Sequence, residues 1–155
     1  MSSFSGKTVL VSGGASGIGE RVAEEIVARG GNVVIGDVNS DLGAALNSRL
    51  GKNSAFVELN VSNNRDCVRA VESAQSQFGG LDFLVNCAIA MNAKPLIDLP
   101  EEGWRKTVDV GLTGTFLMCR AFAAHLLRRG TLGAIVNVSS IGGQHPYGGR
   151  ARTAR

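Results

Sequence analysis

Residues 7–19, KTVLVSGGASGIG, contain the features from which the fold is predicted. Its first half, Lys7 to Ser12, is a short apolar run stopped by glycines, as expected of a strand that is buried on both faces of a parallel sheet. From Gly17 onward the apolar residues recur at helical spacing, which places Ile18 and Ile26 on the face predicted to be buried. The sequence therefore predicts a strand, a glycine-rich turn and an amphipathic helix, in that order.

The same strand and helix unit recurs along the chain. Further strands are predicted at 32–37, 54–60, 81–87 and 134–139, and helices at 17–30, 41–50, 65–78 and 101–129. Because strands alternate with helices, we expect parallel pairing through right-handed crossovers. The predicted fold class is α/β, a Rossmann-type doubly wound parallel sheet of about five strands.

The turn after the first strand has the spacing Gly-x-x-x-Gly-x-Gly, with glycines at 13, 17 and 19. One glycine turns the chain tightly, one lets the backbone approach a pyrophosphate, and one lets the helix pack closely on the sheet. The helix beginning near Gly17 offers unpaired N–H groups and a positive dipole end to that pyrophosphate. A glycine cluster alone is usually a plain turn, but between a strand and a helix of an alternating chain it predicts dinucleotide binding.

An acidic residue, Asp37, ends the second predicted strand. It stands close to the offset of about 20 residues expected of the acid that bonds the adenosine ribose. A carboxylate there would repel a 2′-phosphate, and no Arg or Lys stands at Ala15, Ser16 or Val38 to neutralise one. NAD is therefore predicted in preference to NADP. The alternative is an ordinary strand-end or turn aspartate.

The composition is that of one globular domain. The chain has 155 residues, of which 44% are hydrophobic and 19% charged, so a single core is expected and intrinsic disorder is not. The net charge of +3 equals the contribution of Arg150, Arg152 and Arg155, so residues 1–149 are electrically balanced. A basic tail without interleaved aromatic residues gives weak nucleic-acid binding at most, and no nucleic-acid partner is expected.

Cysteine, histidine and targeting patterns exclude other classes of protein. Cys67, Cys87 and Cys119 lack the paired spacing of a zinc or redox motif, so free, buried thiols are predicted. His125 and His145 have no metal-ligand spacing and are predicted to lie on a helix surface and in a loop, with no metal site. The N-terminus lacks a signal pattern and no run of about 18 apolar residues occurs, so a cytoplasmic protein without a membrane partner is expected.

Several motifs together resemble those of the short-chain dehydrogenase/reductase family. Residues 12–19 are similar to its Thr-Gly-x-x-x-Gly-x-Gly turn, with Ser12 in place of the threonine. Asn60-Val61 is similar to its Asp/Asn-Val pair beside the adenine. Residues 82–88, DFLVNCA, resemble its Asp-x-Leu-Val-Asn-Asn-Ala-Gly segment, and 133–140, GAIVNVSS, its fifth strand. The resemblance extends from residue 5 to about 149.

This resemblance implies an NAD-dependent oxidoreductase that transfers hydride between NAD(H) and a small-molecule alcohol or carbonyl substrate, in a family whose members form homo-oligomers. It implies a dinucleotide-binding domain at 1–149, followed by an atypical basic tail at 150–155. Ser140 would be catalytic by bonding the substrate oxygen, its alternative being a strand-end hydroxyl in a loop. The predicted cofactor-binding residues are Ser12, Gly13, Ser16, Gly17, Ile18, Gly19, Asp37, Asn60, Val61, Asn86 and Ala88.

The sequence departs from the family pattern near its end. The family's Tyr-x-x-x-Lys pair is missing, since Tyr147 is followed four positions on by Ala151 and no lysine follows Lys106. Thr153 has no phenol, and Gly111 occupies the place of the family's helix asparagine. We therefore expect a truncated or frame-shifted dehydrogenase that lacks the C-terminal part of the fold and exposes a hydrophobic sheet edge. The alternative function is a catalytically inactive fragment that binds NAD without turnover.

Overall fold

The sheet is parallel and has five strands. The computed structural model describes residues 4–92 and 94–143. Within these ranges the strands are β1 (Thr8–Ser12), β2 (Asn32–Asp37), β3 (Ser54–Glu58), β4 (Phe83–Asn86) and β5 (Ala134–Asn137). They lie side by side in the order β3-β2-β1-β4-β5, and every neighbouring pair is parallel. The predicted α/β fold class is confirmed.

The helices alternate with the strands as predicted. They are α1 (Gly17–Ala28), α2 (Ser40–Leu50), α3 (Asn64–Phe78), α4 (Glu101–Val108) and α5 (Thr115–Arg129). Short 3-10 turns occur at Gly51–Asn53, Leu96–Asp98 and Ile141–Gly143. The strands predicted at 54–60, 81–87 and 134–139 are shorter in the structure, because residues at their ends belong to the connecting loops.

Two apolar clusters cover the two faces of the sheet. On one face α3 and α5 pack against β1, β2 and β4, with Leu10, Leu84 and Phe122 at most 1% exposed. On the other face α1 and α2 pack against Val33 and Ile35, which are fully buried. β1 lies in the middle and all five of its residues are buried. A central strand covered on both sides needs a continuous apolar run, which is why its sequence does not alternate.

The buried stripe of α1 differs from the predicted one. It runs through Gly19, Ala23 and Ile26, whereas Ile18 is 63% exposed. Ile18 is adjacent to Gly19 in sequence, so it points about 100° away from the stripe around the helix. The first turn of α1 therefore presents Ile18 to the surface beside the glycine turn.

The predicted helix at 101–129 is interrupted by a π-helical segment, Asp109–Gly114, between α4 and α5. The Thr115 hydroxyl donates to the Gly111 carbonyl at 2.8 Å, and a Cβ added to Gly114 would lie 2.6 Å from Val61 Cγ2. By length and composition the whole stretch could span a membrane. Within α5, however, Met118 and Phe122 are part of the core, so α5 is a helix of the folded domain.

Two side-chain predictions need correction. His125 is 5% exposed and not on the helix surface, because it lies on the buried face of α5. Burial, and then the charges of Arg129 and Arg128, lower the pKa of His125. All three cysteines are free as predicted, but only Cys67 is fully buried; Cys87, which follows β4, and Cys119, which lies in α5, are partly exposed. His145, Tyr147, Thr153 and the tail at 150–155 lie outside the described residues.

Candidate functional site

The predicted site lies where the strand order changes direction. The chain adds β2 and β3 on one side of β1 and then places β4 and β5 on the other side. In open α/β sheets such a switch point leaves a crevice at the carboxyl ends of the strands. The glycine turn leaves β1 there, and the loop beginning at Cys87 leaves β4 beside it. The fold thus brings two of the predicted motifs to one place.

Each glycine of the turn has a distinct structural reason. Gly13 has φ +67°, and a Cβ on it would lie 2.6 Å from the backbone nitrogen of Ala88. A Cβ on Gly19 would overlap the carbonyl oxygen of Gly13, so α1 can start this close to the turn only with glycine there. Gly17 has φ +54° and open space around it, since no described atom lies within 4 Å of an added Cβ. Gly17 therefore leaves room for a ligand.

The N-terminus of α1 is open to that space. Ser16 is its N-cap residue, and within the described part of the chain its side chain makes no capping hydrogen bond. Ser16, Gly17 and Ile18 are all exposed. The backbone N–H groups of a first helical turn lack partners inside the helix and carry the positive end of its dipole. The residues present therefore fit an anionic group such as a pyrophosphate.

Asp37 fastens the turn to the end of β2. Its Oδ2 accepts from the Ala15 N–H at 3.0 Å, and its Oδ1 accepts from the Asn39 N–H at 3.0 Å. The carboxylate is half-buried, and each of its oxygens keeps a further lone pair for another donor. Asp37 is thus a turn aspartate, the role predicted as the alternative to ribose binding. Its remaining lone pairs are available to a ribose hydroxyl.

The predicted adenine pair has one accessible side chain and one buried side chain. Asn60 is exposed, and its Oδ1 accepts from the N–H and the hydroxyl of Ser62 at 3.1 and 2.7 Å. Val61 is 4% exposed and belongs to the core beneath the π-helical segment. The side chain of Val61 is therefore a packing group, and only its backbone is left for a ligand.

Asn86 is buried inside a row of polar side chains that crosses the sheet. The Ser12 hydroxyl donates to Asn86 Oδ1 at 3.1 Å, and Asn86 Nδ2 donates to Asn137 Oδ1 at 2.8 Å. Cys119 Sγ lies 3.5 Å from the same Nδ2. Both ends of the Asn86 amide thus have protein partners, as has the Ser12 hydroxyl. Asn137 is not among the residues predicted from the sequence, although its position in an apolar strand, like that of Asn86 in β4, is a signal for it.

Ser140 follows β5 at the same carboxyl edge of the sheet. It is exposed, and its Oγ accepts from the Gly142 N–H at 3.1 Å. Near the site, a Cβ added to Gly111 would meet only Ile89 Cδ1, at 3.9 Å, among the described atoms. The place that the resemblance gives to an asparagine thus has space for a side chain.

Comparisons with known proteins agree with this geometry. The family model for short chain dehydrogenases matches residues 7–152. A 2,5-dichloro-2,5-cyclohexadiene-1,4-diol dehydrogenase of Sphingobium indicum is 38% identical over 92% of this chain and 58% of that protein. A 3-alpha-(or 20-beta)-hydroxysteroid dehydrogenase of Mycobacterium tuberculosis is 39% identical over 89% of this chain and 53% of that protein.

A solved structure gives the same result for the fold. The 3-ketoacyl-(acyl-carrier-protein) reductase from Brucella melitensis, complexed with NADH, superposes with a TM-score of 0.89 at 30% identity. The match covers 97% of this chain and 63% of that one. The chain therefore spans somewhat less than two thirds of the length of each protein it matches here.

Proposed function

Because the chain belongs to the short-chain dehydrogenase/reductase family, we propose that it binds NAD at the glycine turn and supplies the cofactor-binding part of an oxidoreductase. One observation carries the proposal: Gly17, at positive φ, leaves open space in front of the uncapped N-terminus of α1. An anionic group in that space would meet backbone N–H donors without a side chain in the way.

The other predicted residues surround this position in the proposal. Asp37 would accept from the adenosine ribose with its remaining lone pairs, Asn60 and the backbone of Val61 would border the adenine, and Ala88 would form the wall after β4. Ser12 and Asn86 would act indirectly, by holding the turn and the wall together. The dinucleotide would supply the hydride donor or acceptor, and the chain's own residues would bind and orient it.

NAD is proposed over NADP on electrostatic grounds. The Asp37 carboxylate is held by two backbone N–H groups at the end of β2, so it would stand close to a 2′-phosphate and repel it. The three neighbouring positions that could neutralise the phosphate are Ala15, Ser16 and Val38, and none carries charge. The matching Brucella melitensis reductase is complexed with NADH.

The proposed reaction is the interconversion of an alcohol and a carbonyl group on a small molecule. The two relatives described above are named for a cyclohexadiene diol and a hydroxysteroid, so we propose a hydroxyl group borne on a carbocyclic skeleton. Ser140, which follows β5, would donate a hydrogen bond to the substrate oxygen. The open space beside Gly111 would be available to the substrate.

Calorimetric titration with NAD and NADP tests cofactor binding. The variant Gly17→Ala places a methyl group in the open space, and we expect its Kd for NAD to rise about tenfold or more. Gly51→Ala is the matched control, because Gly51 also has positive φ and open surroundings but lies at the end of α2. Equal loss of affinity in both variants, or no binding of NAD by the unmodified chain, would contradict the proposal.

Turnover separates the enzyme from a binding module. In a panel of cyclic and acyclic secondary alcohols with NAD, followed through NADH absorbance, oxidation that Ser140→Ala reduces without changing the Kd for NAD would favour the enzyme. Binding of NAD without oxidation of any panel member would favour the inactive NAD-binding fragment.

A further inference from the structure

We infer that Asn137 is a positioning residue for the candidate site, acting through Asn86 on the glycine turn and on the end of β5. Its consequence for NAD affinity rests on the proposed function, whereas its consequence for the geometry of the turn does not. Nothing in the sequence motifs quoted above gives Asn137 this role.

Three polar residues occupy paired positions on three neighbouring strands. Ser12, Asn86 and Asn137 face one another across β1, β4 and β5, and each is the last residue of its strand. Their side chains are linked in one direction, from the Ser12 hydroxyl to the Asn86 carbonyl oxygen and from the Asn86 NH₂ group to the Asn137 carbonyl oxygen. The row therefore connects the three strand ends at which the candidate site begins.

Backbone bonds at the same level reinforce the row. The Cys87 N–H donates to the Ser12 carbonyl at 2.9 Å, and the Val138 N–H donates to the Asn86 carbonyl at 2.9 Å. Asn86 is thus tied to β1 through its side chain, and to β5 through its side chain and its backbone carbonyl. A change in its side-chain orientation would act on β1 and β5 together.

The acceptor on Asn137 is the energetically important part. Asn86 is 5% exposed, so its NH₂ group has no water to replace an acceptor that it loses, and a buried donor without an acceptor is unfavourable. The remaining neighbour, Cys119 Sγ at 3.5 Å, is a weak acceptor. Without Asn137 Oδ1 the Asn86 side chain would have to reorient and would weaken its bond to Ser12.

A change in the orientation of the Asn86 side chain would affect the candidate site at two places. Ser12 immediately precedes Gly13, and the backbone of Ala88 packs directly on Gly13, where a Cβ would lie 2.6 Å away. On the other side, the bond from the Val138 N–H fixes β5 just before Ser140. Asn137 therefore helps to set both the turn and the position at which Ser140 leaves the sheet.

The test compares Asn137→Ala with Asn137→Asp, which keeps an acceptor oxygen at the position of Oδ1. Ser139→Ala is the control, since it alters an exposed neighbour on the same edge. Two-dimensional ¹⁵N NMR should show that Asn137→Ala shifts the backbone amides of Gly13 and Ala88 and removes exchange protection from the Asn86 NH₂ group. Asn137→Asp should restore both signals, and Ser139→Ala should leave them unchanged.

Calorimetry on the same variants measures the consequence for the ligand. We expect Asn137→Ala to raise the Kd for NAD about fivefold and Asn137→Asp to return it to within about twofold of the original, as one net hydrogen bond implies. If Asn137→Ala does not fold, Asn137→Ser serves instead, because its hydroxyl is too short to reach Asn86.

Three results decide the matter. Unchanged Gly13 and Ala88 amides in the Ala or Ser variant overturn the inference. A loss of thermal stability that the Asp variant does not restore, with an unchanged Kd for NAD, also overturns it, since the role would then be packing alone. If the unmodified chain binds no NAD but the amides shift as expected, the proposed function fails and the positioning role stands.

Discussion

At the scale of single residues, Asp37 combines two tasks that the sequence presents as alternatives. Its carboxylate accepts from the backbone of the glycine turn through Ala15 and from the following loop through Asn39. A hydrogen bond to a charged group contributes about 1.5 to 3 kcal/mol. The acid is therefore part of the structure of the turn as well as a candidate contact for a ribose.

Replacing Asp37 should affect stability and cofactor selection together. Asp37→Asn puts an NH₂ group against one of the two backbone N–H donors, so we expect a loss of about 1 to 2 kcal/mol in the free energy of unfolding, and more for Asp37→Ala. Urea unfolding and paired titrations with NAD and NADP measure the two effects, with Asp98→Asn as the exposed control. A change in NAD preference at full stability would show that the bonds to the turn are dispensable.

Cys67 should make stability depend on alkaline pH. Its thiol donates to the Val61 carbonyl at 3.3 Å, and burial, followed by the charge of Asp66, raises the pKa of Cys67 from 9.0 to about 11. The folded state thus favours the protonated thiol, so its contribution is complete below pH 9 and is lost as the pH rises towards 11. This contribution to the free energy of unfolding is about 2 to 3 kcal/mol.

Urea midpoints at pH 8 and pH 10.5 test this, with Cys67→Ala for comparison. The unmodified chain should lose more stability over that interval than the variant does, since only the former has a thiol that stays protonated when buried in the folded state and deprotonates when exposed in the unfolded state. Parallel pH profiles for the two proteins would show that Cys67 is not the group responsible.

The amino-acid type at a position predicts the backbone conformation better than it predicts the hydrogen-bond partner of the side chain. Gly13 and Gly17 could be predicted because a positive φ or a close approach requires glycine itself. The partner of Asn86 could not, because Asn137 lies 51 residues further along the chain and the two meet only through the register of β4 and β5. The predicted burial of Ile18 is wrong, because the apolar character of a residue beside a glycine turn does not determine on which side of the helix it lies.

At the scale of elements, the π-helical segment Asp109–Gly114 separates two helices with different phases. None of the residues of α4 is buried, whereas α5 has a buried stripe that includes Met118, Ala121 and Phe122. His125 continues that stripe three residues after Phe122, but its burial is not evident from the sequence because histidine is intermediate between buried and exposed residue types. The low helix propensity of Gly111 and Gly114 marked the interruption, but the sequence did not predict its form.

The two glycines of this segment should respond in opposite directions to a methyl group. A Cβ on Gly111 meets only Ile89 at ordinary contact distance, whereas a Cβ on Gly114 would lie 2.6 Å from Val61 Cγ2 and 3.0 Å from Val61 Cβ. We expect Gly111→Ala to stabilise the fold by about 0.5 to 1 kcal/mol, and Gly114→Ala to destabilise it by about 1 to 3 kcal/mol. Thermal and urea unfolding measure both, and equal effects of the same sign would contradict this account of the segment.

In the whole molecule, β3 and β5 are the two edge strands of the sheet within the described part of the chain, and β5 is the more exposed of the two. Ile135, Val136 and Val138 are 39%, 56% and 40% exposed, so side chains on both faces of the strand meet solvent. Among the described residues, apolar side chains of β5 are therefore uncovered. Parallel strands are ordinarily covered on both faces, and an exposed apolar edge strand favours pairing with another chain.

A charge on this strand should reduce self-association. We expect Val136→Lys to lower the concentration dependence of light scattering and of sedimentation at constant secondary structure, because a lysine on an edge strand opposes strand pairing. Lys52→Arg is a control that leaves the net charge and the edge unchanged. Identical association of Val136→Lys and the unmodified chain would assign the contact to another surface.

The strand order also determines when the site comes into existence. β1, β2 and β3 can pair through short crossovers, but Ser12 and Asn86 are 74 residues apart in sequence, so joining β4 to β1 closes a much longer loop. Loop-closure entropy therefore favours early formation of the glycine turn in folding. The backbone of Ala88 packs on Gly13 only when the second half of the sheet docks. The ability to hold a dinucleotide would then be one of the last properties acquired along the folding pathway, and a ligand present during refolding would act on the final step.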